Sequence, residues 1–308
     1  MTEISIIIVN YNVKQLLLQC LKSIYSKAND TILIETIVID NDSKDDSVAA
    51  VLKEFPQVIL IENKFNAGFS AANNQGINIA KGEFIFLLNP DTEIVGDALS
   101  QLLNFMRSNT SCAVVAPQLL NSDKSIQPSV WKNHSVADLI IETLYLHKLF
   151  DLINYPDSKL NTTFEAKTAS GAALFFRKKL VSKIGMLDEN LFWMEDIDFC
   201  FRAQQHGSII YLNTTQIIHH SGQSQKKNYN IAIANQLISK LKYYKKHSSV
   251  ISVIVANIAC FIFIITRLFT FSIFMFVKEI YKLKAKAYFY SLKSFFKYLF
   301  LNDNSIYN

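Results

Sequence analysis

The sequence predicts an α/β fold, a mostly parallel sheet flanked by helices, followed by an apolar C-terminal segment. Three observations predict it. Short β-branched runs alternate with stretches of helical spacing over residues 4–116. Four of those runs end in polar clusters: Asn10-Tyr11-Asn12, Asp40-Asn41-Asp42, Asn63 to Gly68, and Asn89-Pro90-Asp91. From residue 250 onward the chain turns almost continuously apolar.

Residues 4–9 (ISIIIV) form a compact β-branched run, read as a buried first strand. Apolar residues at helical spacing follow over 13–27. The next elements are a strand over 35–39, a helix over 47–55, a strand over 58–61 and a small-residue helix over 71–80. A strand over 84–88, a helix over 98–107 and a strand over 113–116 complete the alternation. Strands joined through helices of this length pair in parallel. Such sheets bind ligands beyond the carboxyl ends of their strands, where the four polar clusters fall. One polar strand end is ordinary turn chemistry; four on one rim mark a site. Further on, 118–128 reads as a hairpin or loop, 136–150 as an amphipathic helix and 174–176 as a strand. Residues 196–205 read as a helix stopped by Gly207, 209–212 as a strand, and 228–246 as a long basic helix.

Half of the 308 residues are hydrophobic, enough for one large domain and a smaller segment. The net charge is +5, with much of the excess Lys in the last third. Lys beside an apolar stretch points to an anionic membrane surface, and no nucleic-acid partner is expected. Cys20, Cys112, Cys200 and Cys260 lie far apart without CxxC spacing, as reduced thiols without a metal role do in a cytosolic compartment. The opening MTEISIIIVNYN lacks a basic n-region and is expected to be a strand, not a leader.

The run FWMEDIDFCFRAQQHG sets Glu195, Asp196 and Asp198 at a helix start. Acidic residues there can simply complement the free N–H groups and the macrodipole. Three carboxylates behind Phe192, Trp193 and Met194 exceed what one cap needs, and an apolar collar raises a carboxyl pKa toward the range of a general base. In IIHHSGQS a histidine follows an apolar run. His219 or His220, with the rim residue Asp91, could hold a divalent cation whose shell phosphate oxygens complete.

With these pieces the chain resembles glycosyltransferase family 2, of the GT-A (Rossmann-like) fold, in its bacterial rhamnosyltransferase-like branch. The matching pieces are SIIIVNYN, VIDNDSKDDS, NAGFSAANNQGI, FLLNPDTE, SGAALFFRK, EDIDFCFR and HHSGQS, in the family's order over residues 3–225. The resemblance implies inverting, metal-dependent transfer of a sugar from a nucleotide diphosphate sugar, dTDP-rhamnose or a UDP-hexose, to a saccharide acceptor. It implies that Asp40 hydrogen-bonds the nucleotide base and that Asp42 lies in the same base and ribose pocket. Asn10, Tyr11 and Asn12 wall that pocket, and Asn66 and Gly68 form the turn that approaches ribose and phosphates. Asn89 and Asp91 match the ends of the DXD motif, with Asp91 a ligand of Mg²⁺ or Mn²⁺; Asn89 in the first position removes one charged ligand. Asp196 matches the catalytic base. Glu195 and Asp198 would orient the site or touch the acceptor. His219 fits the family's H-x-x-G-x-S element better than His220 and would complete the metal shell. Trp193 is a candidate platform for a sugar ring.

The C-terminal segment suggests membrane association. Residues 250–266 are almost wholly apolar, about 25 Å as a helix and short of a hydrocarbon core of roughly 30 Å. Lys residues flank the apolar stretch on both sides, which conflicts with the positive-inside rule for a single span. A re-entrant hairpin breaking near Arg267, or helices in the interface, avoids the conflict; a single span and a soluble oligomer interface are the other readings. The sequence thus divides into a GT-A domain over 1–245 and a membrane-associated helical segment over 246–308. Such an anchor suits a polyprenyl-diphosphate-linked acceptor at the cytoplasmic face of the inner (plasma) membrane. A different class also fits: a catalytically silent GT-A-like scaffold that binds nucleotide sugar or a partner enzyme. A nucleotidyltransferase is disfavoured, because Asn10-Tyr11-Asn12-Val13 stands where a Gly-rich basic loop belongs.

Overall fold

Seven consecutive buried residues, β1 (Ile4–Asn10), run through a ten-stranded sheet. They come from a computed structural model that describes residues 2–27, 32–132, 134–146, 153–220 and 229–301. Helix α1 (Lys14–Lys27) leads to β2 (Ile34–Asp40), α2 (Ser47–Glu54) to β3 (Ile59–Glu62), and α3 (Phe69–Ile79) to β4 (Phe84–Leu88). These four strands are parallel, and the register from Ile4↔Ile34 to Asn10↔Asp40 brings two polar strand ends level. Burial on both faces explains why the runs read as continuous rather than alternating. Side chains still alternate by face: Ile4, Ile6 and Ile8 pack with α1, while Ile7 and Val9 pack with α3.

The short strand β5 (Thr92–Ile94) follows, then α4 (Ala98–Ser108), β6 (Cys112–Leu120), β7 (Ile126–Gln127) and β8 (Val130–Trp131). Residues 118–128 do make a hairpin, β6 pairing antiparallel with β7. After α5 (Val136–Thr143) come α6 (Asp157–Leu160), β9 (Phe164–Ala166), β10 (Thr168–Ala169), β11 (Ala173–Arg177), α7 (Lys178–Ile184), α8 (Glu195–Ala203) and β12 (Ser208–His219). The sheet order is β3-β2-β1-β4-β11-β6-β12-β5. Parallel pairing holds through β4. Beyond it the sheet is mixed, because β11 runs antiparallel to both β4 and β6. An antiparallel neighbour needs no crossover helix, so the 170–172 loop enters β11 directly from the rim. Residues 209–212 lie in the first half of a twelve-residue strand whose last residue is His219.

Packing divides the chain into two compact units. The first is Met1–Lys132, Asn154–Glu189 and Glu195–Ser224; the second is Asn133–Ile153, Asn190–Met194 and Gln225–Asn308. The sheet belongs to the first. The second is helical: α5 with α9 (Tyr229–His247), α10 (Val250–Phe274) and α11 (Glu279–Leu301). Residues 229–245, assigned by sequence to the first domain, therefore pack with the C-terminal helices. Lys240 pairs with Glu142 at 3.0 Å, and the Tyr244 hydroxyl donates to the Ser135 carbonyl at 3.1 Å. Helices α10 and α11 run antiparallel, Phe261 meeting Phe295 and Phe274 meeting Tyr281.

The expected break near Arg267 does not occur. Helix α10 continues to Phe274, because Arg267 is turned inward and satisfied. Its guanidinium donates to the carbonyls of Thr143 (3.0 Å) and Glu142 (2.6 Å) at the end of α5, and stacks 3.8 Å from the rings of Tyr145 and Phe263. A cation at a helix C-terminus meets the negative end of the macrodipole. The helix expected over 136–150 ends at Thr143; residues 147–150 lie outside those described.

Candidate active site

The four rim clusters all lie in the first unit. At the end of β1 the Asn10 side-chain N–H donates to Asp40 Oδ2 at 2.7 Å and to Ser43 Oγ at 3.0 Å. The Ser43 backbone N–H donates to Asp40 Oδ1 at 2.8 Å. Both oxygens of Asp40 are thereby fixed, and Asn10, fully buried, acts through Asp40. Asn12 Oδ1 accepts the Lys44 N–H at 2.7 Å, and Asp42 pairs with Lys44. Asn12 and Asp42 both carry positive φ (54° and 68°), the left-handed region that Asn and Asp tolerate best. Tyr11 is exposed. The pocket wall expected at 10–12 and the two aspartates thus form one hydrogen-bonded corner.

Asn41, the middle residue of the second rim cluster, ties this corner to the next loop. It is buried; its side-chain N–H donates to the Gly68 carbonyl (3.2 Å), and its Oδ1 accepts from Asn63 (2.8 Å). Asn66 Oδ1 accepts the Gly68 N–H at 3.0 Å, an Asx turn, and Gly68 at φ +86° then opens α3. The loop so held presents the start of a helix, a setting suited to phosphate oxygens.

At the end of β4 the Asn89 N–H donates to the Ala172 carbonyl at 2.9 Å, continuing the β4–β11 pairing. Next to Ala172, the Gly171 N–H donates to Asp196 Oδ2 at 2.8 Å. A side chain at 171 would have its Cβ 3.3 Å from the Asp196 Cβ and 3.5 Å from the Phe69 ring. Asn89, two residues before Asp91, is therefore linked through 171–172 to Asp196 and to the first residue of α3. The Ile197 N–H also donates to Asp196, at 2.8 Å. Burial pushes the Asp196 carboxyl up to about 6, and the two backbone N–H bonds pull the other way.

Asp198 has another part. Its carboxylate is fully buried, and Oδ2 accepts from both Nε (2.9 Å) and Nη2 (2.7 Å) of Arg202. Arg202 also donates to the carbonyls of Ile184, Gly185 and Met186 after α7. Of the two parts expected for Asp198, orienting the site or touching the acceptor, its burial and its pairing with Arg202 accord with the first. Glu195 is buried in the first turn of α8. Trp193 belongs to the second unit, where its ring stacks with Phe192 and its φ is +70°.

The short strand β5 pairs antiparallel with β12, with Thr92 opposite His219. The His220 N–H donates to the Asp91 carbonyl at 2.8 Å, so the pairing brings Asp91 to the histidines. His219 Nε2 lies 3.3 Å from Asp91 Oδ1, and its Nδ1 lies 2.7 Å from Gln127 Oε1. The Gln127 amide is oriented by donating to Asn121 Oδ1 and to the His219 carbonyl. Its oxygen therefore faces Nδ1, which carries the proton, and Nε2 turns its lone pair toward Asp91. A carboxylate oxygen and a ring nitrogen 3.3 Å apart are two ligand atoms of the kinds that divalent cations take. Cis ligands of an octahedral cation at about 2.1 Å stand about 3.0 Å apart, so the pair fits a divalent ion. Among the described residues no cluster of three or more His, Cys, Asp or Glu is positioned as a cage. A divalent cation at this pair would need its remaining ligands from outside these two side chains. His220 is engaged elsewhere, by Glu93 (2.6 Å) and Ser122 (2.7 Å), which separates the two histidines by role. Gly222 and Ser224 of the H-x-x-G-x-S element lie outside the described residues.

Sequence reasoning missed Gly171, Gln127 and Arg202. Gly171 had a signal, a Gly just before an apolar strand; Gln127 had none, since only the pairing of β6 with β7 brings it to His219.

The glycosyl transferase family 2 profile matches residues 5–185. Over 222 residues, 68% of the chain, the sequence is 27% identical to the poly(ribitol-phosphate) beta-glucosyltransferase of Bacillus spizizenii, of which it covers 34%. It is 22% identical over 215 residues to an N-acetylglucosaminyl-diphospho-decaprenol L-rhamnosyltransferase of Mycobacterium tuberculosis, covering 62% of this chain and 68% of that protein. Among solved structures it is similar to the mannosyltransferase PcManGT from Pyrobaculum calidifontis in complex with GDP-Man and Mn²⁺. That match has a TM-score of 0.58 at 14% identity and covers 98% of this chain and 88% of the other. The chain spans about a third of the length of the Bacillus relative.

Proposed function

The chain belongs to glycosyl transferase family 2 and has the GT-A fold, and on that premise we propose that it is an inverting, metal-dependent glycosyltransferase of cell-surface polysaccharide assembly. The observations that support this reading are the link from Asn89 at the end of β4 through Ala172 and Gly171 to Asp196, and the Asp91–His219 pair where β5 meets β12. In this reading the Asn10–Asp40–Ser43 corner receives the nucleoside and the Asn66–Gly68 turn approaches the diphosphate. Asp91 and His219 Nε2 hold Mg²⁺ or Mn²⁺. Such an ion, when bound, offsets the negative charge that grows on the departing diphosphate. Asp196 takes the proton of the acceptor hydroxyl as that oxygen attacks the anomeric carbon. One base opposite the leaving group gives one displacement and hence inversion. Asp198 and Arg202 keep the base in position.

The donors proposed are dTDP-rhamnose or a UDP-hexose, and the acceptor is a polyprenyl-diphosphate-linked saccharide. The names of the relatives, one acting on a decaprenol-linked sugar and one on poly(ribitol phosphate), support that acceptor class. The apolar helix α10 supports a place at the membrane, proposed as the cytoplasmic face. Thermal unfolding with a panel of nucleotide sugars, with and without Mn²⁺, tests the reading. The donor should raise the midpoint, and more so with Mn²⁺; a ligand at 100 times its Kd stabilises by about 2.7 kcal/mol. If no nucleotide diphosphate sugar moves the midpoint, the reading fails.

A further inference from the structure

Helix α10 has two faces, and the outward one is the unusual one. Ala256, Ala259, Cys260, Phe263 and Ile264 are buried against its neighbours, with Arg267 among them. Ile251, Ile254, Ile258, Ile265, Phe269 and Ile273 recur at steps of three, four or seven and are all exposed, Ile251 at 75% and Phe269 at 68%. This stripe runs the length of a 25-residue helix, about 37 Å, and bears no charge. Soluble monomers rarely expose an apolar patch of that extent. Helix α11 extends the surface with mixed chemistry, its exposed Phe289, Phe296 and Phe300 standing among exposed Lys286, Lys293 and Lys297. Phe261 and Phe296, both exposed, touch at 6.1 Å, so the two stripes adjoin.

We propose that the α10–α11 hairpin lies flat in the surface of an anionic lipid bilayer, its apolar stripe sunk among the acyl chains and the α11 lysines at the headgroups, and that α10 does not span. This deepens the membrane part of the reading above and rests on it. Length alone would allow α10 to cross. Its inner face forbids that. Arg267, seven residues before the helix end, is bonded to the α5 carbonyls of Glu142 and Thr143, and Glu142 pairs with Lys240 of α9. A crossing that kept this packing would draw Arg267, Glu142, Lys240 and Asp138 of α5 toward hydrocarbon, at about 2.5–3.5 kcal/mol for each charge near the middle. Lying in the plane keeps all of them on the aqueous side. Charge selects the occupant: α11 carries five Lys against one Glu. A second copy would set those lysines against their equivalents, whereas anionic headgroups complement them.

The test uses the full chain and vesicles of phosphatidylglycerol with phosphatidylcholine. The four native cysteines are buried, so a fluorophore on Ile251→Cys, Ile258→Cys, Ile265→Cys or Ile273→Cys reports depth through quenchers placed along the acyl chain. All four labels should lie at one shallow depth, within about 10 Å of the headgroups. Capture by flotation should fall about tenfold when phosphatidylglycerol is omitted, and about tenfold in Ile254→Glu/Ile258→Glu/Ile265→Glu. That variant should keep its helicity and its thermal shift with donor nucleotide, which separates loss of the membrane contact from failure of the catalytic reading. Labels running from one leaflet through the centre to the other would establish a span and overturn the proposal. Absence of flotation by the wild-type chain would overturn it together with the membrane reading, and a dimer that shields the four labels would give the stripe to a second copy. Equal capture without phosphatidylglycerol would also count against it.

Discussion

Gly171 decides how the proposed base is aimed. Its backbone N–H is one of two that grip Asp196, and a Cβ there would stand 3.3 Å from the Asp196 Cβ. Gly171→Ala must push the carboxylate by a few tenths of an ångström. We expect kcat to drop about tenfold with donor binding unchanged, since small misplacements of reacting groups are costly. Asp196→Asn should abolish transfer while leaving nucleotide affinity within about twofold; equal losses of affinity and rate would remove Asp196 from the base role. The pH profile follows from the direction of its shift. A general base works ionised, and burial moves its protonation up to about 6, so kcat/KM should fall as pH drops below about 6. A limb near the ordinary carboxylate range would contradict that. Gln127 sets the tautomer of His219, so Gln127→Leu should weaken Mn²⁺-dependent nucleotide binding about tenfold by calorimetry, with metal-free binding unchanged. The sequence pointed to Asp40, Asp91, Asp196 and His219 as the proposed site residues because each lies at or beside the end or start of a recognisable run. Gln127 was not, because its role comes from a neighbour 92 positions away.

One buried ion pair ties helix α8 to the end of α7. Asp198 is fully buried, and its partner Arg202 also satisfies three carbonyls at the end of α7. Removing one member leaves the other charged and buried, so Asp198→Asn should lower stability by about 3 kcal/mol in denaturant unfolding. An unchanged midpoint would mean that the pair is solvated. The sequence showed three carboxylates in one helical turn but could not sort them, because exposure at a helix start depends on which way the helix is turned. The strands β1 to β4 were plain in their β-branched runs. The three-residue strand β5 was not, being too short for any periodicity and defined only by pairing with β12. The continuity of α10 through Arg267 was hidden for a related reason: a charge reads as a break until its partners are known.

At the scale of the whole molecule, the C-terminal helices carry the exposed apolar stripe of α10, and residues 229–245 go with them. Composition located the apolar segment. It could not reveal that α5, distant in sequence, closes over its inner face. The β5–β12 pairing has a consequence for assembly. His220 and Glu93 lie 127 positions apart, so this edge closes only after most of the first unit has been threaded into the sheet. The Asp91–His219 pair next to it, the proposed cation site, is then a late product of folding. In a refolding experiment, Mn²⁺-dependent nucleotide binding should return no sooner than the slowest phase of far-ultraviolet dichroism. Recovery ahead of that phase would show the edge to be an early nucleus.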